Sequence, residues 1–263
     1  MSRHFPRVLL GLVCVLVAIW LLAPTLIVVP ISFAEKKSLA YPPQGFSTKW
    51  YVNFFTNPQW YGSLLVSLRI ALIVSALATL IGTLAAIGLE KMANRTAGLI
   101  RVILITPMIV PGVVLAVGIY AVYLDAHLVG TWTGYVLAHT LLALPFVVIA
   151  VGANLAVFDA RLETAAASLG AGRLETFRTV TLPLIMPGIL SGALFAFVTS
   201  FDEVIISLFI TSPTLRTLPV QIFSSITRDA DPTVAAEGTL AFIVTTLLIV
   251  GGLLITNRRG RRP

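Results

Sequence analysis

Apolar residues run along this chain in long stretches, and polar residues gather in the gaps between them. An α-helix needs roughly 20 apolar residues to cross a bilayer. Six stretches reach that length, at about 8–31, 62–88, 102–124, 134–156, 187–210 and 237–256. The pattern predicts an all-α, polytopic membrane protein: a single transmembrane domain over residues 1–263 with six spans and both termini on one side. The longest polar insertion, Asp159 to Pro183, separates the fourth stretch from the fifth.

Composition agrees with the pattern. The chain is 57% hydrophobic and 11% charged, with a mean hydropathy of +0.97. A soluble domain carries about 25% charged residues, so the bilayer is the natural solvent here. The net charge of +7 does not point to nucleic acid, because the charges sit in short loops and tails. Arg3, Arg7, Lys91, Arg95, Arg101, Arg161, Arg173, Arg178, Arg258, Arg259, Arg261 and Arg262 fall on one side of the six spans. Lys36, Lys37, Lys49, Arg216 and Arg228 fall on the other. The richer side is predicted to be cytoplasmic, which places both termini and the 159–183 loop there. The apolar run after Arg7 exceeds a signal-peptide core and reads as a retained first span, although Ser32-Phe33-Ala34 has the look of a cleavage site. The single Cys14 lies in that run and reads as a small packing residue.

Within the polar insertion, Asp159 is a good N-cap and Leu162 to Leu169 are good helix formers. Gly170 and Gly172 supply the positive φ that ends a helix. Arg173 to Val180 can start a second short helix, and Leu182-Pro183 predicts a break before the next span. Ala165, Ala166 and Ala167 form a small face on which another backbone can come close. From the residues alone, a docking element and an ordinary polar loop both stand.

The spans carry unequal chemistry. The third holds Pro107 and the run Val110-Pro111-Gly112, which predict a kink that either lines a path or serves packing. The fourth holds His139, read as a hydrogen-bonded packing residue because no second ligand lies at metal spacing. The fifth holds Asp202 and Glu203. A carboxylate at a span centre costs about 2.5–3.5 kcal/mol on insertion scales. Successive helical residues lie about 100° apart, so the two cannot point the same way. Either the pair meets a cationic solute or it is a structural or gating site. Trp50, Tyr51, Phe54, Phe55, Trp60 and Tyr61 predict a short amphipathic helix at the outer interface, and residues 218–227 predict another. The chain has no phosphate-binding Gly-Lys-Ser/Thr loop, no His-Glu-x-x-His and no Gly-x-Ser-x-Gly, which argues against catalysis on this chain.

The polar insertion resembles the cytoplasmic loop of the membrane subunits of binding-protein-dependent ABC importers. That loop reads Glu-Ala-Ala, three residues, Gly, nine residues, an aliphatic residue, one residue, Leu-Pro. Here Gly170 is followed at that spacing by Val180 and Leu182-Pro183. Ala165 and Ala166 take the alanine places, Thr164 stands where the family has Glu, and Glu163 sits one place earlier. Within the family the chain is most similar to the second permease of spermidine/putrescine systems, through Leu169-Gly170-Ala171, Thr199 to Glu203, Arg216 to Val220 and Asp231-Pro232.

The resemblance implies a non-catalytic permease of the bacterial inner membrane that forms half of a path for a small solute, a polyamine in the subfamily reading. A periplasmic binding protein delivers the solute and a second homologous permease completes the path. A cytoplasmic ATPase dimer holds ATP and Mg, with no cofactor on this chain. Glu163, Thr164, Ala165, Ala166, Gly170, Leu182 and Pro183 are the candidate coupling residues. Asp202, Glu203, Pro107 and Pro111 are the candidate path residues. Two alternatives stay open: an importer permease for another small solute, and an ion-coupled secondary transporter with Asp202 and Glu203 as a proton relay.

Overall fold

The computed structural model describes residues 5–92 and 95–259; Arg3, Arg261 and Arg262 of the charge pattern lie outside them. The helices in order are α1 (Phe5–Ser32), α2 (Lys49–Thr56), α3 (Pro58–Glu90), α4 (Arg95–Ile109), α5 (Gly112–Asp125) and α6 (Trp132–Ala156). There follow α7 (Arg161–Ser168), α8 (Arg173–Thr176), α9 (Leu182–Phe201), α10 (Ile205–Ile210), α11 (Leu218–Arg228) and α12 (Thr233–Arg259). Among the described residues there is no strand, only an isolated bridge between Ala34 and Phe46. Four helical segments are long and apolar enough to cross a membrane: Leu9–Ser32, Pro58–Glu90, Trp132–Ala156 and Arg173–Phe201. The bent pair α4–α5 makes a fifth if it is one span, and α12 contributes a shorter apolar helix at Thr233–Leu247.

The chain forms two compact units. In one, α1 and α2 pack on α12. Its loop aromatics do not all form the interfacial belt that the sequence suggests. Trp60 and Phe54 are buried, the Trp50 Nε1–H donates to the Ala34 carbonyl at 2.5 Å, and the Tyr51 hydroxyl lies 2.6 Å from Ser32 Oγ. A ring with a polar tip gains more where both its apolar body and that tip find partners, and the end of α1 supplies them. Tyr61 and Phe55 remain exposed.

The second unit, Gly62–Gln221, is organised by α6 lying against α9. Buried Gly188 and Gly192 on α9 allow the close approach. A Cβ at Gly188 would stand 2.8 Å from the Ala150 carbonyl oxygen and 2.6 Å from Asn154 Nδ2, both on α6. With little to drive apolar helices together inside lipid, this backbone-level fit supplies the packing. Gly188→Ala is therefore expected to destabilise the detergent-solubilised protein by about 1–3 kcal/mol, the usual cost of overpacking. Gly152→Ala, whose Cβ would meet nothing within 4 Å, should be silent. Thermal unfolding of the two variants side by side checks this.

Two of the expected spans are interrupted. The third is not a gently kinked helix: α4 and α5 meet at Val110–Pro111 with a bend of 103°. Pro107 is carried inside α4, whereas Pro111 has extended ψ (φ −54°, ψ 129°) and starts α5. The fifth starts earlier than expected and stops earlier. Helix is continuous over Arg173–Phe201, so Leu182-Pro183 does not break it. Ahead of that proline the chain makes a π turn at Phe177–Thr181, in which the Leu182 N–H reaches back to the Phe177 carbonyl. Widening the turn relieves the clash of the proline ring with the preceding turn. The helix ends instead at Asp202, and α10 begins at Ile205.

Candidate functional site

The two interruptions adjoin. Helix α10 packs on α5, a Cβ on Gly112 would stand 3.2 Å from Ile205 Cδ1, and the Tyr120 and Phe209 rings meet with centroids 6.2 Å apart. Asp202 and Glu203 lie in the second interruption and are separated in role by it. Asp202 ends α9, its N–H bonding to the Val198 carbonyl, and its side chain is exposed. Glu203 turns inward and is 10% exposed. Its Oε1 accepts from the Ile206 N–H at 2.8 Å and its Oε2 from the Ser207 N–H at 2.9 Å. The carboxylate thus satisfies N–H groups that a helix start leaves unpaired, and its charge opposes the positive end of α10.

Around Glu203 lies a buried polar cluster that chain order conceals. His139 on α6 is fully buried. Its Nδ1 is 3.0 Å from Ser200 Oγ, and its Nε2 is 3.1 Å from Ser207 Oγ. The Glu203 Oε2 stands 3.8 Å from the same Nε2. One turn earlier on α6, the Tyr135 hydroxyl donates to the Ser207 carbonyl at 3.3 Å. The sequence reading places His139 correctly as a hydrogen-bonded residue. It misses Tyr135, Ser200 and Ser207, which resemble ordinary small or aromatic residues of apolar helices.

Pro107, half-buried, and Pro111, exposed, belong to the first interruption. The backbone broken there and at Asp202–Val204 is the irregular kind that membranes tolerate only inside protein or beside a water-filled cavity. Where a long helix stops, its last carbonyls carry partial negative charge. At the end of α9 that charge stands beside the exposed Asp202 carboxylate, while Glu203 occupies the opposite, positive end of α10. The arrangement favours a cation at the end of α9.

A second candidate site is the polar insertion. Helix α7 opens with the Arg161 N–H donating to Asp159 Oδ1 at 2.9 Å. It closes in a paired cap: the Gly170 N–H bonds to the Ala167 carbonyl, and the Ala171 N–H to that of Ala166. This closure requires a left-handed residue after the helix, and Gly170 has φ +88°. Gly172 does not share the task, since its φ of −70° and ψ of 165° suit any residue. Glu163, half-buried, accepts from the Thr181 hydroxyl at 2.6 Å, tying α7 to the π turn at the foot of α9. Thr164, at the family's Glu position, and Ala165 are exposed, and Ala166 is half-buried. Leu182 is half-buried and Pro183 exposed. Leu169 and Leu174 are 89% and 69% exposed. Short helices that leave large aliphatic residues uncovered at a polar loop form a surface suited to docking.

Comparison with known proteins gives the class. Residues 78–262 match the family described as the binding-protein-dependent transport system inner membrane component. The spermidine/putrescine transport system permease protein PotC of Haemophilus influenzae is 33% identical over 259 residues, covering 98% of this chain and 99% of that protein. PotC of Escherichia coli K12 is 31% identical, covering 90% of each chain. The putrescine transport system permease protein PotI of the same strain is 32% identical, covering 84% of this chain and 81% of the other. A solved bacterial ABC transporter involved in alginate import has a TM-score of 0.70 at 15% identity, covering 100% of this chain and 99% of its own. At that identity the likeness speaks for the fold. The chain therefore belongs to the family of inner-membrane components of binding-protein-dependent transport systems. It is a permease subunit.

Proposed function

We propose that this permease forms half of the translocation path of an ATP-driven importer for polyamines. The carrying observation is the exposed Asp202 carboxylate at the end of α9, where it adds to the negative end of a long helix. Among the described residues no cation pairs with it. A polyammonium solute has the complementary charge, and relatives named for spermidine and putrescine transport cover most of the chain. Such ion sites at half-helix ends recur in transporters.

Membership of the family supports the remaining parts. A second, homologous permease completes the path, and a periplasmic binding protein delivers the solute. The 159–183 loop seats on a cytoplasmic ATPase dimer that holds ATP and Mg; this chain itself carries no cofactor and no catalytic residue. Exposed Leu162, Leu169 and Leu174 offer that ATPase an apolar contact. The loop and both termini are cytoplasmic, a reading that the Lys and Arg bias supports. Within the chain, Glu163, Thr164, Ala165, Ala166, Gly170, Leu182 and Pro183 serve coupling. Asp202 meets the solute, Glu203 holds the interruption in shape, and Pro107 and Pro111 shape the neighbouring wall.

Uptake of labelled spermidine and putrescine, in cells with and without the chain and with vanadate as an ATPase block, tests the reading. The expected result is uptake that needs the chain and stops with vanadate. Chain-dependent uptake that ignores vanadate would return the chain to the ion-coupled class. Unchanged uptake in a strain lacking other polyamine systems would point to a different small solute.

A further inference from the structure

The interruption between α9 and α10 is bridged by one side chain from a third helix. Ser200 lies in the last turn of α9 and Ser207 in the first turn of α10. His139 reaches both, through opposite ring nitrogens, at 3.0 and 3.1 Å. A neutral imidazole has one donor and one acceptor nitrogen, and a serine hydroxyl can play either part. Either tautomer therefore satisfies both contacts. His139 is 0% exposed, as is Ser207, and Ser200 is 3% exposed, so water offers no substitute partner. The Tyr135 ring packs edge-on against the imidazole with centroids 5.6 Å apart. It holds the ring in place while its hydroxyl engages the Ser207 carbonyl at 3.3 Å. Helix α6 itself is held to α9 by the tight approach at Gly188 and Gly192. The imidazole is thus a fixed point on a fixed helix, and both sides of the gap are referenced to it.

Helical hydrogen bonding ends with the Asp202 N–H on the Val198 carbonyl and resumes with the Leu208 N–H on the Val204 carbonyl, so the geometry between those two points must come from side chains. Glu203 fixes the start of α10 from within its own strand of chain. His139 fixes α10 relative to α9. We propose that His139 is a positioning residue of the solute path, setting the place and angle at which the α9 terminus and Asp202 present themselves. The proposal rests on the reading that a cationic solute passes at this interruption. A displacement near 1 Å of a group that must meet a solute costs up to about 100-fold in function, so a bridge of this kind has leverage without touching the solute.

The test uses the full transporter complex in membrane vesicles. His139→Leu removes both hydrogen bonds at similar size. It is expected to raise the half-saturating spermidine concentration about 10-fold while the maximal uptake rate stays within about 2-fold, the signature of lost binding geometry. His139→Gln, which can still present a donor and an acceptor, should recover most of the loss. Ser200→Ala with Ser207→Ala should reproduce the Leu variant. A residue that matters only for folding would lower the amount of complex and the maximal rate together, without rescue by Gln; that result overturns the proposal.

A second arm does not depend on solute. Spin labels at Val198 and Ile205, 51% and 38% exposed, flank the gap in a Cys14→Ser background. His139→Leu should change the dipolar broadening between them, and His139→Gln should not. An unchanged spectrum in the Leu variant removes the bridge. A changed spectrum with unchanged half-saturation removes its link to the path. If Asp202→Asn leaves uptake unaltered, the path reading falls while the spectra still decide on the bridge. Should His139→Leu fail to assemble, the paired serine variant carries both arms.

Discussion

Gly170→Leu is expected to leave the assembled complex hydrolysing ATP while solute uptake falls at least about 10-fold, the penalty for a lost energetic link of roughly 1.4 kcal/mol or more. The reason is conformational. Gly170 has φ +88°, and a Cβ there would meet nothing within 4 Å, so the substitution meets no clash. A non-glycine residue in the left-handed region costs about 1–2 kcal/mol, enough to reshape the cap joining α7 to α8. The exposed Leu169 and Leu174, on either side of Gly170, would then present a different face to the ATPase proposed to seat there. Two controls sharpen the test. Asparagine tolerates the left-handed region, so Gly170→Asn should keep most coupling. Gly172→Ala should be silent, since its φ is −70° and its Cβ would also meet nothing. ATPase activity and uptake measured on the same proteoliposomes decide. Parallel loss of both activities in Gly170→Leu would mean failed assembly instead of uncoupling.

Asp202→Asn and Glu203→Gln should fail in different ways although the residues are neighbours. Asp202 is exposed at the end of α9, so its neutralisation should raise the half-saturating polyamine concentration by about 10- to 100-fold, the worth of a charge-assisted hydrogen bond of about 1.5–3 kcal/mol. The amount of protein in the membrane should hardly change. Glu203 accepts two backbone N–H groups. A glutamine can accept both only through a single oxygen, and its amide N–H₂ faces donors. The expected result is a loss of about 1–3 kcal/mol in stability from a mispaired buried group, seen as earlier thermal unfolding and less complex, with a smaller change in half-saturation. Identical effects of the two substitutions would contradict the division of labour drawn from the geometry.

Much of the fold is written in the apolar runs, because a helix in lipid needs length and apolarity and little else. The interruptions are not written there. Pro24, Pro30, Pro107, Pro145 and Pro187 all lie inside helices, and Pro111 does not. Which proline breaks a helix depends on whether neighbouring backbone and side chains satisfy the freed groups, and that is a tertiary fact. Asp202 and Glu203 stand out in sequence by their cost in lipid. Their separation into an exposed and a capping carboxylate follows from the end of α9 at Phe201, which no local pattern marks. The bridge at His139 joins residues 61 and 68 positions apart, and the Glu163–Thr181 contact spans 18. Such pairings arise only when the helices pack. Gly170 is the counter-example: its role is fixed by local backbone geometry and can be read from the polar loop directly.

The unbroken helix over Arg173–Phe201 has a mechanical consequence. Its 29 residues make a rod about 43 Å long at 1.5 Å per residue. It is clipped to α7 not at its first residue but at Thr181, by Glu163; the far end, Phe201, adjoins Asp202. A tilt of about 5° about the Thr181 clip, with an arm of roughly 30 Å to Phe201, swings the far tip by about 3 Å. That is comparable to the small helix shifts that switch other proteins between states. The π turn at Phe177–Thr181 sits at the fulcrum, where any bending is multiplied by the whole arm, so the stroke reaches the tip only as far as this turn is stiff. On the proposed function, a small rotation imposed at the polar loop would reach the tip beside Asp202 as a displacement set by the length of the arm.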